Sequence, residues 1–166
     1  MNRETYIRMT NATRAALRHL PGGAIALRLP TYVCAVSYLC TLLTLMLRRD
    51  IRLIRALFVP AACFLAVTAL RPLINRQRPY DRFQAEPAGS YRPGKGKSMP
   101  SRHTASAAAI ALAVMYAFPV TWAFVSMTGL CLLIAALRVL SGQHYISDVL
   151  AAIALSLLIS LPFYLM

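Results

Sequence analysis

The feature that most constrains the fold of this chain is an uncharged run of 34 residues. Residues 104–137 contain no Lys, Arg, His, Asp or Glu. A helix of that length would extend about 51 Å, whereas the hydrocarbon core of a bilayer is about 30 Å thick. Pro119 lies near the middle of the run, where it interrupts helical hydrogen bonding. The run therefore predicts two membrane-spanning helices joined by a short turn.

Three further apolar segments have the length of a membrane span: residues 29–47, 53–70 and 149–166. Pro30 falls in the first turn of the first segment, where proline is tolerated. Arg55 lies near the end of the second, from which its long side chain can reach the surface. The sequence thus predicts an all-α integral membrane bundle of five transmembrane helices.

Composition supports a membrane protein and narrows its partners. Hydrophobic residues make up 58% of the chain and charged residues 14%, whereas soluble domains carry about 25% charged residues. Lys and Arg number 18 against 5 Asp and Glu. In so hydrophobic a chain this excess favours anionic lipid and phosphate as partners, and we expect no nucleic-acid partner.

The N-terminal segment differs in kind from the spans. On a helical wheel of residues 3–20 the arginines fall on one side and mostly apolar residues on the other. The first set is Arg3, Arg8, Arg14 and Arg18; the second is Tyr6, Met9, Ala12, Ala16, Leu17 and Leu20. We predict an amphipathic interfacial helix that ends at Pro21, with a frayed basic tail as the alternative. The domains are accordingly a basic segment, 1–28, and a transmembrane domain, 29–166.

Two loops hold every charge after Arg55 and emerge on the same side of a five-span bundle. The first loop begins with Arg71 and Arg78, which are seven residues apart. They share a helix face if the second span continues beyond the membrane, which Pro72 and Pro79 make uncertain. Two guanidinium groups together suit a group with several anionic oxygens. Arg71 alone would more simply be a headgroup anchor.

The first loop ends at Pro100, Ser101, Arg102 and His103. Pro100 can start a helix without penalty, and Ser101 can supply its hydroxyl there. The free N–H groups of the following turn bind phosphate well. His103 lies just inside this turn, where it can donate a proton to a bound group. The alternative for Ser101 is a simple helix cap.

The second loop joins the last two spans and contains Arg138, His144 and Asp148. His144 and Asp148 are four residues apart, so their side chains meet on a helix. A carboxylate in an apolar span costs about 2.5–3.5 kcal/mol unless it is paired. The pair fixes the tautomer of His144 and leaves one ring nitrogen free to attack. A purely structural pair is the alternative for these two residues taken alone.

Together these residues favour phosphoryl transfer through a histidine. No cluster of residues has the spacing of a metal site, and there is no glycine-rich nucleotide loop, so we expect no metal and no cofactor.

The three segments resemble the type-2 phosphatidic acid phosphatases, which share their site with the vanadium haloperoxidases. The family's motifs are Lys-x(6)-Arg-Pro, Pro-Ser-Gly-His and Ser-Arg-x(5)-His-x(3)-Asp, and they correspond here to residues 71–79, 100–103 and 137–148. Arg71 replaces the lysine, Leu137 replaces the first serine of the third motif, and Arg102 replaces the glycine. The side chain of Arg102 needs another partner, such as a lipid headgroup.

The resemblance implies a role for each site residue. His144 attacks phosphorus, Asp148 orients it, and His103 donates a proton to the leaving group. The phosphate oxygens are bound by five residues: Arg71, Arg78, Ser101, Arg102 through its backbone, and Arg138. The implied reaction needs no metal.

The implied substrate is a lipid phosphate. The family includes enzymes that act on phosphatidic acid, phosphatidylglycerol phosphate and polyprenyl diphosphates. The chain does not choose among them. Five loop cations either gather anionic headgroups or are merely solvated: Arg76, Arg82, Arg92, Lys95 and Lys97. A catalytically silent lipid-phosphate-binding protein and a vanadate-dependent haloperoxidase-like enzyme are the alternatives.

The small chain favours a bacterial inner-membrane protein. The family's site usually faces away from the cytoplasm, and Arg48, Arg49, Arg52 and Arg55 at the other end then satisfy the positive-inside rule. The five arginines of the N-terminal segment argue the other way.

Overall fold

The described part of the chain is entirely helical. A computed structural model describes residues 2–19, 22–89, 91 and 96–166. These residues form eight helices: α1 (Arg3–Arg18), α2 (Gly23–Ala26), α3 (Leu29–Leu47), α4 (Arg52–Ile74), α5 (Pro79–Phe83), α6 (Arg102–Ala117), α7 (Thr121–Leu140) and α8 (Ile146–Leu165). The predicted helix end at Leu20 and Pro21, and the loop cations Arg92 and Lys95, lie outside the described residues.

Helices occupy all five predicted spans, four of them long and apolar enough to cross a membrane, and the chain is an integral membrane protein. Among the described residues four segments are long and apolar enough to cross a membrane: Leu29–Leu47, Arg52–Phe83, Thr121–Leu140 and Ile146–Leu165. They contain α3, α4, α7 and α8. The fifth helix, α6, has only 16 residues and extends about 24 Å.

The prediction that residues 104–137 divide near Pro119 is confirmed. Helix α6 ends at Ala117 and α7 begins at Thr121. Phe118 and Val120 have non-helical backbone angles on either side of the proline. The two helices therefore run in opposite directions through the bundle.

Helix α6 occupies the centre of the bundle and contacts α3, α4, α7 and α8. Seven of its alanines are buried: Ala105, Ala107, Ala108, Ala109, Ala111, Ala113 and Ala117. Small side chains let helix backbones approach closely in a membrane, where association depends on packing and hydrogen bonds. One such bond joins α8 to α6, from Ser156 Oγ to the Ala105 carbonyl at 3.0 Å. The outer helices expose large apolar side chains to lipid.

Arginines at the end of the bundle that holds residues 48–52 bind the C-termini of helices. Arg52 Nη1 donates to the Ala117 carbonyl at 2.9 Å, and its Nη2 pairs with Asp50 at 2.6 Å. Arg55 Nη1 donates to the Phe163 carbonyl at 3.0 Å. Helix C-termini carry unsatisfied carbonyls and a partial negative charge, so these cations stabilise the ends of α6 and α8.

Helix α1 docks across the loops at the other end of the bundle. Asn2 caps it by accepting a bond from the Thr5 amide at 2.8 Å. Tyr6 Oη donates to the Gly142 carbonyl at 3.3 Å, and Thr13 Oγ1 donates to the Leu140 carbonyl at 3.0 Å. Arg14 Nη2 donates to the Glu86 carbonyl at 3.2 Å. The N-terminal segment is therefore a helix fixed to the loops.

The buried stripe of α1 differs from the predicted apolar face. Tyr6 and Thr10 are buried, whereas Ala12 and Ala16 are exposed. Thr10 is accommodated because its hydroxyl donates to the Tyr6 carbonyl at 3.0 Å within the helix, which leaves its methyl group to pack against the loop. The division into segments 1–28 and 29–166 stays a prediction.

We predict that Gly142→Ala is destabilising and Gly129→Ala is not. Gly142 has a φ of +75°, and a Cβ there would lie 2.6 Å from both Tyr6 Oη and Thr10 Cγ2. The left-handed conformation alone costs an L-residue about 1–2 kcal/mol, and the clash adds to it. A Cβ at Gly129, inside α7, meets nothing within 4 Å, and alanine favours a helix. Thermal unfolding in detergent should show a lower midpoint for Gly142→Ala only; equal midpoints would contradict the docking of α1.

Candidate active site

A cavity of about 320 Å³ lies at the end of the bundle covered by α1. Its lining is strongly basic and includes five arginines and two histidines: Arg28, Arg71, Arg78, Arg102, Arg138, His103 and His144. Six of the eight predicted site residues are among them. The other two, Ser101 and Asp148, are fully buried behind the lining. The three polar segments of the sequence therefore meet at one place.

The first segment does not reach the cavity as a continuous helix. Helix α4 ends at Ile74, and Asn75 takes a left-handed conformation with a φ of 42°. Arg78 is extended and forms the N-cap of α5. Arg71 and Arg78 therefore do not share a helix face, because the chain turns sharply after α4 and Pro79 starts a new helix. Arg71 and Arg78 nevertheless both line the cavity.

Backbone carbonyls of the same loop orient these two arginines. The Arg71 side chain is buried, and its Nη2 donates to the Lys97 carbonyl. Arg78 Nε lies 3.4 Å from the Gly96 carbonyl. The ends of the loop thus hold both guanidinium groups against the cavity. Lys97, expected either to gather headgroups or to be solvated, contributes here through its backbone carbonyl.

The second segment begins α6 beside the cavity. Ser101 is the N-cap of α6, but its hydroxyl caps no backbone N–H and instead accepts a bond from Thr104 Oγ1 at 3.0 Å. The Ser101 amide donates to the Asp148 carbonyl at 3.1 Å. His103, two residues on, exposes its ring to the cavity. The start of α6 is therefore tied to α8, with His103 directed at the site.

The third segment places His144 outside the helix that holds Asp148. Helix α7 ends at Leu140 and α8 begins at Ile146. The amides of Gln143 and His144 both donate to the Arg138 carbonyl at 3.2 Å, which fixes the turn between the helices. The predicted helical spacing of the pair is therefore wrong in detail, although the turn still brings the side chains together.

The carboxylate of Asp148 joins the first loop to the third segment. Its Oδ1 accepts a bond from Arg76 Nη1 at 2.8 Å. Its Oδ2 accepts bonds from Ser98 Oγ and from the Tyr145 amide, the latter at 3.0 Å. His144 Nδ1 lies 3.5 Å from Oδ2, which is longer than a normal hydrogen bond. Such contacts often shorten only when a ligand binds.

Arg76 and Ser98 are site residues that sequence reasoning missed. Arg76 was predicted only as a headgroup ligand or a solvated charge. Its guanidinium lies 4.1 Å over the Tyr145 ring and donates to Ser147 Oγ at 2.7 Å as well as to Asp148. A carboxylate in an apolar span needs a cationic partner, but several loop cations met that description equally well.

Burial disfavours the charged form of His144. Its side chain is almost fully buried, and burial lowers the pKa of the imidazole below its ordinary value, with nearby Arg78 acting in the same direction. Asp148 acts in the opposite direction without reversing the shift. Because Nδ1 is the nitrogen near Asp148, Nε2 is the one available to a ligand. A neutral imidazole is the form that can act as a nucleophile.

Arg138 and Arg28 complete the cavity wall. Arg138 donates to Gln143 Oε1 at 2.8 Å and to Thr31 Oγ1 at 3.3 Å, which bridges α7 to α3. Arg28 is the N-cap of α3 and also lines the cavity. It was not predicted as a site residue. The five-span topology places the start of α3 on the same side as the two loops, and that was the signal for it.

The cavity is suited to an anion with several oxygens. Guanidinium groups bind such groups in pairs of parallel bonds. Among the described residues no group of three or more His, Cys, Asp or Glu is placed to hold a metal ion. The predicted absence of a metal stays a prediction.

Comparison with known proteins yields a family and a similar fold. A model of the PAP2 superfamily matches residues 52–166. The structure is similar to that of a transmembrane PAP2-type phosphatidylglycerolphosphate phosphatase from Bacillus subtilis, with a TM-score of 0.68 and 22% sequence identity. The match covers 96% of this chain and 82% of that one. A comparison with curated proteins gave no match.

We predict that Arg76→Gln destabilises the protein by about 1.5–3 kcal/mol, the usual range for a hydrogen bond to a charged group. The substitution removes the cation from Asp148, whose side chain is fully buried. Arg82→Gln is the control, because Arg82 is an exposed cation of the same loop. Thermal unfolding in detergent compares the two. Equal midpoints would show that Arg76 does not hold the carboxylate.

Proposed function

Because the chain belongs to the PAP2 superfamily, we propose that it is a membrane-embedded phosphatase that hydrolyses a phosphate ester or diphosphate of a lipid through a phosphohistidine intermediate. One observation carries the proposal: buried His144 lines a cavity with His103 and the three arginines of the family motifs, and Asp148 lies directly behind it. A nucleophile, a proton donor and a cationic cage are the parts that metal-free phosphoryl transfer needs.

In the proposed first step Nε2 of His144 attacks phosphorus and the bond to the leaving oxygen breaks. The electron pair leaves with that oxygen, which takes a proton from His103. Asp148 stabilises the positive charge that develops on His144. A bound phosphate brings negative charge next to His103 and so favours its protonated form. In the second step a water molecule gives a proton to His103 and its oxygen attacks phosphorus. The N–P bond breaks, its electron pair returns to Nε2 of His144, and phosphate is released.

The arginines supply electrostatic stabilisation in both steps. Arg71, Arg78 and Arg138 are held by protein oxygens before substrate arrives, so little reorganisation is needed as charge shifts. The first N–H groups of α6, including that of Arg102, add donors at the helix N-terminus. Ser101 lies behind the residues that line the cavity. Its proposed contact with a phosphate oxygen therefore requires the hydroxyl to turn towards the cavity.

A second cavity supports a lipid as the substrate. It has a volume of about 400 Å³ and shares Thr31, Arg102 and His103 with the first. The rest of its lining is mainly apolar and includes Cys34, Phe64, Ile110 and Ile134 from four helices of the bundle. The charged cavity thus adjoins a space suited to a hydrocarbon chain.

We predict that His144→Ala abolishes phosphate release and that EDTA does not. Purified protein would be assayed in detergent with lipid mono- and diphosphates. The loss should exceed a thousandfold, because the nucleophile is removed. His19→Ala is the control, since His19 is an exposed histidine beyond the end of α1.

Three results would contradict this mechanism. Equal release by His144→Ala and wild type would exclude the phosphohistidine. Release that EDTA abolishes would exclude metal independence. No release from any lipid by the wild type would favour a silent lipid-phosphate-binding protein, and bromination in the presence of vanadate would identify a haloperoxidase-like enzyme.

We further propose that the cavity faces the extracytoplasmic side of a bacterial inner membrane. Arg48, Arg49, Arg52 and Arg55 then lie on the cytoplasmic side, where positive charge is favoured. In a Cys40→Ser background, an impermeant thiol reagent should label Gln77→Cys in intact cells and Arg48→Cys only after permeabilisation. Both substituted residues are exposed, at opposite ends of the bundle. The reverse labelling pattern would place the site in the cytoplasm.

A further inference from the structure

Two arginines line the cavity in addition to the three that the family motifs place there. Arg102 is the first residue of α6, and Arg28 is the N-cap of α3. Both line the cavity that contains His103 and His144. Neither is needed to explain the binding of a single phosphate, for which three guanidinium groups suffice.

The five arginines lie at different depths. Arg71 and His144 are buried, with 7% and 2% of their surfaces exposed. Arg78 and Arg138 are half-buried, whereas Arg102 and Arg28 are exposed. The motif arginines therefore surround the floor of the cavity near the nucleophile, and the additional pair lies at its mouth.

The additional cations increase repulsion within the empty site. Arg102 is close enough to Arg71, and Arg28 to Arg138, for their charges to interact. No Asp or Glu is among the described residues that line the cavity. Like charges gathered around a small cavity raise its affinity for ligands of higher negative charge. A diphosphate carries more negative charge than a phosphomonoester, so the cavity should bind it more tightly.

The chemistry of the reaction places the leaving group on the same side of the cavity as Arg102. An in-line attack by His144 puts the leaving group on the far side of phosphorus, where His103 donates its proton. Arg102 directly precedes His103, and both line also the apolar cavity that suits a lipid chain. A leaving group that extends towards the lipid therefore passes Arg102.

We propose that Arg102 and Arg28 form a second phosphate subsite, which makes lipid diphosphates better substrates than lipid monophosphates. This inference rests on the proposed function. The N–P bond forms at His144 Nε2 as the bond from the terminal phosphorus to the bridging oxygen breaks, and the electron pair leaves with that oxygen. The product is a lipid monophosphate, whose charge the two arginines stabilise. Water then hydrolyses the N–P bond to release inorganic phosphate.

The test compares a prenyl diphosphate with the monophosphate of the same chain length, in non-ionic detergent without phospholipid. The measured quantity is the ratio of the two kcat/KM values. Arg102→Gln and Arg28→Gln should each lower that ratio about tenfold, as expected for one lost bond to a charged group. Arg48→Gln, an exposed arginine at the opposite end of the bundle, should leave it unchanged.

The outcomes separate this inference from the proposed function. If the wild type hydrolyses neither lipid, the proposed function fails. If it hydrolyses both and the two variants keep the wild-type ratio, the second subsite is overturned and the phosphatase stands. If added anionic phospholipid raises turnover of both lipids in the wild type but not in Arg102→Gln, and the ratio of the two kcat/KM values is the same in both proteins, a neighbouring headgroup occupies the mouth and the preference for diphosphates is overturned.

A binding measurement covers the case in which a variant is inactive for another reason. In the His144→Ala protein, thermal stabilisation by inorganic diphosphate and by inorganic phosphate reports affinity without turnover. Diphosphate should bind about tenfold more tightly, and Arg102→Gln in the same background should remove that difference. A difference that persists would overturn the subsite.

Discussion

The organisation of this protein depends on one carboxylate buried at the start of a membrane helix. Asp148 is fully buried, and a charge there is tolerated only with several donors around it. Its carboxylate accepts bonds from Arg76 and Ser98 of one loop and from the Tyr145 amide of the other. Its backbone carbonyl accepts a bond from the amide of Ser101, the N-cap of α6. The carboxylate and the backbone carbonyl of Asp148 together connect the three segments that carry the chemistry.

The large positive charge of the chain serves separate purposes at the two ends of the bundle. Arg52 and Arg55 bind the carbonyls that end α6 and α8, so their charge is offset by helix dipoles. Around the cavity the donors of Arg71 and Arg138 bind neutral backbone and side-chain oxygens. Those bonds orient the guanidinium groups without cancelling their charge, which remains available to an anion.

The sequence predicted the parts of this structure that depend on lengths and local spacing. Span limits follow from bilayer thickness, and Leu29–Leu47 coincides with the predicted first span. The sequence did not predict pairings in which several partners were chemically equivalent. Arg76 was one of five loop cations that could have met Asp148, and only the path of the loop after Asn75 selects it. The exposure of Ala12 was missed because α1 docks through hydrogen bonds as well as apolar contact.

The docking of α1 bears on how this chain is divided into parts. Hydropathy places a boundary before Leu29, and a sequence-based division treats what precedes it as an appendage. Yet Tyr6 and Thr13 bind the carbonyls of Gly142 and Leu140, next to the turn that carries His144, and Arg28 forms part of the cavity wall. The N-terminal segment therefore supports the turn that carries His144, and a homologous chain with a different N-terminal segment must support that turn by other means.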